Sequence, residues 1–133
     1  MGEDLHQLSL IEVGRAIASR RVSARETTEA MLARVDQLQP VLGAYAHIMR
    51  DQALAAARQA DSEIGRGLVR GPLHGVPVAL KDLVDTFDAP TRSGATIMAG
   101  GSYATAVSGR SPKAGGVPSQ ALRTAAVAPA FRG

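Results

Sequence analysis

A lysine ends the apolar run of the stretch whose residue types come closest to doing chemistry: Gly71-Pro72-Leu73-His74-Gly75-Val76-Pro77-Val78-Ala79-Leu80-Lys81-Asp82. A Gly/Pro turn runs into Val76, Val78, Ala79 and Leu80, and short apolar runs bounded by turn residues read as buried strands. A lysine at the end of such a strand is held at the edge of a core, where its ammonium loses part of its hydration. Desolvation favours the neutral amine. A neutral amine can take a proton, which makes Lys81 a candidate general base. Spacing alone leaves a plainer alternative in place: strand-end lysines ordinarily lay their stems along apolar surface and keep the charge in water.

Other chemistry-bearing residues are sparse. His74 stands between Leu73 and Gly75, where it braces the turn and is not read as catalytic. His47 has no histidine or cysteine at ligand spacing and reads as structural. Asp82 can accept a hydrogen bond that holds the loop, or stand as a solvated loop acid. The chain contains no cysteine. That excludes a disulfide framework and a thiolate zinc site, and it suits a reducing compartment. The turn at residues 71–75 lacks the spacing of a nucleotide-binding fingerprint.

The same segment, followed by Asp85-Thr86, Pro90-Thr91 and Gly94, resembles the lysine segment of the amidase signature family. That family includes bacterial amidases, fatty-acid amide hydrolase and the A subunit of glutamyl-tRNA amidotransferase. The resemblance implies an α/β fold, namely the N-terminal part of an α/β/α sandwich with a mixed central sheet, incomplete in this chain. It implies hydrolysis of an amide C–N bond in a small-molecule substrate, with Lys81 as the family's catalytic lysine and no metal or organic cofactor. In the family a serine attacks the carbonyl, and a second serine on a cis peptide bond passes the proton to the lysine. A serine hydroxyl is a weak nucleophile until a base accepts its proton, and backbone N–H groups of a Gly/Ser-rich loop stabilise the oxyanion. Such a relay is a Ser-Lys variant of the familiar triad. By the same resemblance Thr91, Ser93 and Gly94 correspond to the polar loop after the lysine, with hydroxyls facing the site.

The resemblance breaks downstream. Both serines belong in a Gly-Gly-Ser-Ser-Gly-Gly type segment, and the chain has none. Gly100-Gly101-Ser102 lies too close to Lys81 and has no second serine beside it. Gly115-Gly116-Val117-Pro118-Ser119 fits no better. Ser102, Ser108, Ser111 and Ser119 are therefore poor nucleophile candidates. The expectation is an amidase-like fragment that carries the base without the nucleophile and is inactive alone. A reading from a different class stands beside it: a non-catalytic interaction protein that keeps the family's N-terminal half. An isolated one- or two-stranded sheet is rarely stable. An exposed edge at residues 76–81 would then favour a partner or self-association.

The elements that must position Lys81 begin with two capping boxes, Ser9 with Glu12 and Ser23 with Glu26. The first opens a helix over residues 10–19 with Leu10, Val13 and Ile17 on one face. The second opens a helix over residues 24–39 with the stripe Met31, Val35 and Leu38, ended by Pro40. Residues 44–48 read as a short strand. Asp51 is placed to cap a third helix over residues 52–64, where Ala53, Leu54, Ala57 and Ala60 allow close packing. Gly65 and Gly67 stop it.

The 133 residues are the size of one domain, with 45% hydrophobic residues and a formal charge of +3. Much of the apolar share is alanine, which buries little area. With only Tyr45, Phe87, Tyr103 and Phe131 as aromatics, the expected core is thin. Four of the fifteen basic residues, and none of the twelve acids, fall in residues 101–133. The chain is accordingly divided into a family-like segment, residues 1–100, and an irregular basic tail, residues 101–133. The tail reads as frameshifted or degraded, or as a natural linker. Its charges are scattered and only two aromatics accompany them, which argues against nucleic-acid binding. No stretch approaches the ~20 apolar residues of a membrane span. Glu3 and Asp4 stand where a leader would be basic, so no membrane association and a cytoplasmic location are expected.

Overall fold

Ser9 and Ser23 start the two N-terminal helices as their spacing predicts. In the computed structural model, which describes residues 4–80 and the backbone of residues 127–129, each serine hydroxyl accepts the N–H of the glutamate three residues on. Each glutamate carboxylate in turn accepts the serine N–H. These reciprocal bonds satisfy helix donors that would otherwise lack partners. They also hold the Glu12 and Glu26 carboxyls below the usual carboxylate range. A 3-10 turn at Leu5–Gln7 precedes α1 (Leu10–Ala18), followed by α2 (Ala24–Leu42), β1 (Tyr45–Ile48) and α3 (Arg50–Gly65). β1 pairs antiparallel with β2 (Val127–Pro129), with a bulge between Tyr45 and His47.

The three helices share one core. Val13 and Ile17 from α1, Ala24 from α2, Ala57, Ala60 and Ile64 from α3, and Val76 beyond it are buried together, with Leu8 and Val22 packed at the margin. The alanines let α3 approach closely, as expected from their small size. Leu10 departs from the expected face and is 49% exposed. It lies at the outer end of α1, one turn before the core begins at Val13, and Leu8 fills the position against the core instead. On α2, Leu32 and Val35 are buried, while Met31 and Leu38 are half-buried.

Asp61 of α3 adds a tertiary cap to α2. Its two carboxylate oxygens accept the N–H groups of Ala24 (2.7 Å) and Arg25 (3.1 Å). A negative charge there also meets the positive end of the helix dipole. Arg20, at a left-handed φ of 60°, closes the opposite junction. Its guanidinium donates to the carbonyls of Ile64 (3.3 Å) and Gly65 (3.5 Å) at the end of α3.

Two boundaries differ from the sequence expectation. Pro40 does not end α2, which continues to Leu42. A proline in the last turn removes one donor where few bonds remain to be made. The helix stops instead at Gly43, whose φ of 54° is left-handed and whose N–H bonds the Gln39 carbonyl at 2.8 Å. The Gln39 side chain then pairs with both backbone groups of Tyr45 (2.8 and 3.0 Å) and ties that turn to β1.

Asp51 likewise is not the cap of α3. Met49 holds that position, Arg50 is the first helical residue, and Asp51 lies in the first turn without a capping bond. Met49 is buried, and Arg50 donates to Asp36 of α2 at 2.5 Å. Together these draw the helix start back before Asp51.

The strand expected over residues 76–81 is not formed in its described part. Only Ala79 makes a bridge between residues 76 and 80. The expected strand at residues 44–48 is present as β1, and its partner comes from the far end of the chain. A two-stranded ribbon is marginal alone. Here Tyr45 and Ile48 pack on buried Ala53. Pro129, which lacks an N–H, sits at the end of the edge strand, where that loss is tolerated.

Candidate active site

The segment that leads to Lys81 begins where α3 stops. Gly67, at φ 85°, donates to the Ile64 carbonyl (2.9 Å), and Leu68 donates to the Glu63 carbonyl (2.9 Å). These two bonds make a Schellman motif, which needs the left-handed conformation that glycine adopts without strain. The motif reverses the chain and brings residues 70–74 back against the last turns of α3.

Glu63 receives them. Arg70 grips its carboxylate with both arms of the fork, Nε to Oε2 at 2.7 Å and Nη2 to Oε1 at 2.8 Å. Gln59, one turn earlier on α3, donates to Oε1 at 3.1 Å. His74 brings Nε2 to 3.0 Å from Oε2. The Arg70 N–H donates to His74 Nδ1 at 3.3 Å. With Nδ1 accepting, the neutral ring carries its proton on Nε2 and donates it to Glu63. Glu63 and His74 are 6% and 7% exposed, so the carboxylate has exchanged nearly all its water for protein donors. The Arg70 hydrogen bonds, aided by the Gln59 hydrogen bond and by the charge of Arg70, outweigh burial and hold the Glu63 carboxyl at about 2.

Past His74 the chain meets the helices directly. Gly75 has φ 82°, and a Cβ there would stand 2.8 Å from the Ala24 Cβ. Val76 enters the core at 2% exposure. Two tight turns, His74 N–H to the Gly71 carbonyl and Val76 N–H to the Leu73 carbonyl, both at 3.1 Å, complete the loop. His74 thus braces the turn, as its position suggested, and His47 is exposed on β1.

Lys81 lies outside the described residues, as do Asp82, Thr91, Ser93, Gly94, Ser102, Ser108, Ser111 and Ser119. Among the described residues no group of three or more acidic, histidine or cysteine side chains is placed to hold a metal. No described helix is long and apolar enough to cross a membrane.

Sequence reading missed Glu63. The one available signal was its position, an acid beside Ala60 and Ile64 on the apolar side of α3, with an arginine and a histidine within the next eleven residues.

The family model described as Amidase matches residues 26–118, a span that contains the whole turn and Lys81. The chain belongs to the amidase family. A Mycobacterium tuberculosis protein named as an amidase, AmiD, is 48% identical over 93 residues, covering 70% of this chain and 20% of that protein. The A subunit of the glutamyl-tRNA(Gln) amidotransferase from Chloroflexus aurantiacus is 42% identical over 97 residues, 73% of this chain and 20% of its own length. Among solved structures, the peptide amidase of Stenotrophomonas maltophilia superposes with a TM-score of 0.73 at 26% identity, covering 92% of this chain and 24% of that one. These likenesses agree with an α/β amidase fold, of which the described residues supply mostly helices. The chain spans about one fifth of the length of the curated relatives it matches.

Proposed function

We propose that these residues are the lysine-bearing part of an amide C–N hydrolase of the α/β/α-sandwich type, with Lys81 as the base of a Ser-Ser-Lys relay. The observation that carries this reading is the family match over residues 26–118, centred on the motif that ends at Lys81. The buried clasp under that motif supports it, since a base must be held in place to be useful. Lys81 would accept the proton that a bridging serine takes from the nucleophile, and would return it to the leaving amine. The 133 residues contain no adjacent serine pair, so the nucleophile and oxyanion donors must come from outside them. The substrate is an organic amide, and no cofactor is required for its cleavage.

The test is amide hydrolysis by the 133-residue chain alone and by a chimera in which it replaces the matching segment of the Mycobacterium tuberculosis relative. The expected result is no turnover by the chain alone and turnover by the chimera, lost by roughly a thousandfold or more in Lys81→Ala, a loss of the size general-base removal produces. Turnover that survives Lys81→Ala overturns the assignment. A folded but inactive chimera turns the reading toward a non-catalytic interaction module.

A further inference from the structure

We propose that the edge of β1 at Tyr45 is a strand-pairing surface for a second copy of this chain, held shut by the Gln39 carboxamide. β1 has one strand neighbour among the described residues, β2, and every strand has two edges. The Gln39 Nε2 donates to the Tyr45 carbonyl at 2.8 Å, and its Oε1 accepts the Tyr45 N–H at 3.0 Å. That is the donor and acceptor pair which the backbone of a neighbouring antiparallel strand offers to one residue. Pro129 lies opposite Tyr45 on β2 and has no N–H to give. With the Tyr45 N–H committed to Gln39, neither donor of this pair serves the ladder to β2. Gln39 therefore stands where the backbone of a further strand would stand.

The segment around that edge lacks the other common protections, which are charged side chains and proline. Residues 41–49 contain no acidic residue, lysine, arginine or proline. The charges that bracket them, Asp36 and Arg50, are paired with each other at 2.5 Å. Val41 and Leu42, just before the strand, are 84% and 62% exposed. An uncharged, strand-forming run of this length pairs readily with its own kind once its backbone groups are open. A second copy suits such an edge. Two β1 strands running antiparallel are related by a two-fold axis, so each presents the same uncharged run to the other. The carboxamide does for β1 what a charged residue does on other edges.

The test is sedimentation velocity of the 133-residue chain over a concentration series, with amide exchange at Tyr45 read at both ends of the series. The parent is compared with Gln39→Ala, which removes both bonds. A third protein combines Gln39→Ala with His47→Lys, which places a charge at an exposed position of β1. The parent is expected to keep the Tyr45 N–H protected at every concentration. Gln39→Ala self-associates about tenfold more tightly, the size of one net hydrogen bond. Its Tyr45 N–H exchanges freely when dilute and becomes protected as the copies pair. The added lysine returns the chain to monomer without restoring the Tyr45 bond, a rescue that a role confined to bracing the turn would not give.

Association of Gln39→Ala no tighter than that of the parent overturns the proposal. So does association that leaves the Tyr45 N–H unprotected, because the copies then meet elsewhere, and so does association that persists with His47→Lys. Should Gln39→Ala lose amide protection in α2 and α3, Gln39→Met, which keeps the length of the side chain and lacks both bonds, decides by the same criteria.

Discussion

Gly14 of α1 and Pro72 of the turn touch backbone to backbone: a Cβ at position 14 would stand 2.2 Å from the Pro72 carbonyl oxygen. The helix can lie on the turn only because residue 14 has no side chain. Alanine is the better helix former by about 1 kcal/mol, so Gly14→Ala would stabilise an isolated helix. In the folded chain the contact is with backbone, which cannot swing aside, and overpacking of this kind costs about 1–3 kcal/mol. The expected outcome is a lower denaturant midpoint with unchanged slope. A raised midpoint would show that the turn does not sit on α1.

Two other glycines separate backbone strain from crowding. Gly43 and Gly75 both have left-handed φ, but nothing lies within 4 Å of a Cβ at position 43, whereas one at 75 meets Ala24, Ile17 and Ala60. Alanine at 43 should cost only the left-handed penalty, about 1–2 kcal/mol. Alanine at 75 adds the clash and should cost clearly more. Urea titration of the two variants compares them directly, and equal losses would contradict the packing at Gly75.

Asp61 caps α2 from another helix. Asp61→Ala leaves the Ala24 and Arg25 N–H groups without that acceptor and should cost about 1 kcal/mol, the usual value of an N-cap. Ser23 caps the Glu26 N–H, a different donor, so Ser23→Ala and Asp61→Ala should be close to additive. A double-mutant cycle in thermal unfolding measures the coupling. A large coupling would mean that the two caps act on one shared interaction.

The Glu63 carboxyl, held at about 2 against the usual 4.5, ties stability to acid pH. Between those values the unfolded chain binds more protons at this site than the folded chain, so stability rises with pH there. The contribution is complete above about 4.5 and is lost as pH falls toward about 2. The stability gap between the parent and Glu63→Gln should therefore shrink across that window and stay constant above it. A gap that does not change with pH would mean that the carboxylate gains nothing from Arg70.

Thr28 is fully buried, and its hydroxyl has no hydrogen-bond partner among the described residues. Thr28→Val keeps the shape and removes a stranded polar group. It should stabilise the chain by about 1 kcal/mol, read as a higher melting temperature. A loss of stability would reveal an unseen partner for the hydroxyl.

Local chemistry was legible in the sequence. Each capping box spans four residues, so the bonds of Ser9 with Glu12 and Ser23 with Glu26 follow from chain order alone. The same holds for the stop near Gly65 and Gly67, and for the short strand at Tyr45. Pro40 and Asp51 misled because each is a boundary signal that tertiary contacts moved. Gln39 and Gly43 carried α2 past the proline, and Met49 and Arg50 drew α3 back before the aspartate.

The sequence by itself determined the family, because a contiguous motif keeps its residue order whatever the fold, and it determined the starts of α1 and α2, because their capping boxes are local. Only the tertiary structure decided what holds the turn that precedes Lys81 in the chain. Glu63 meets Arg70 and His74 seven and eleven residues on. That meeting depends on the Gly67 reversal, on the smallness of Gly14 and Gly75, and on Val76 being drawn into the helical core. Each residue type is ordinary where it stands in the chain. Their combination becomes a clasp only when burial removes water and leaves them no other partners.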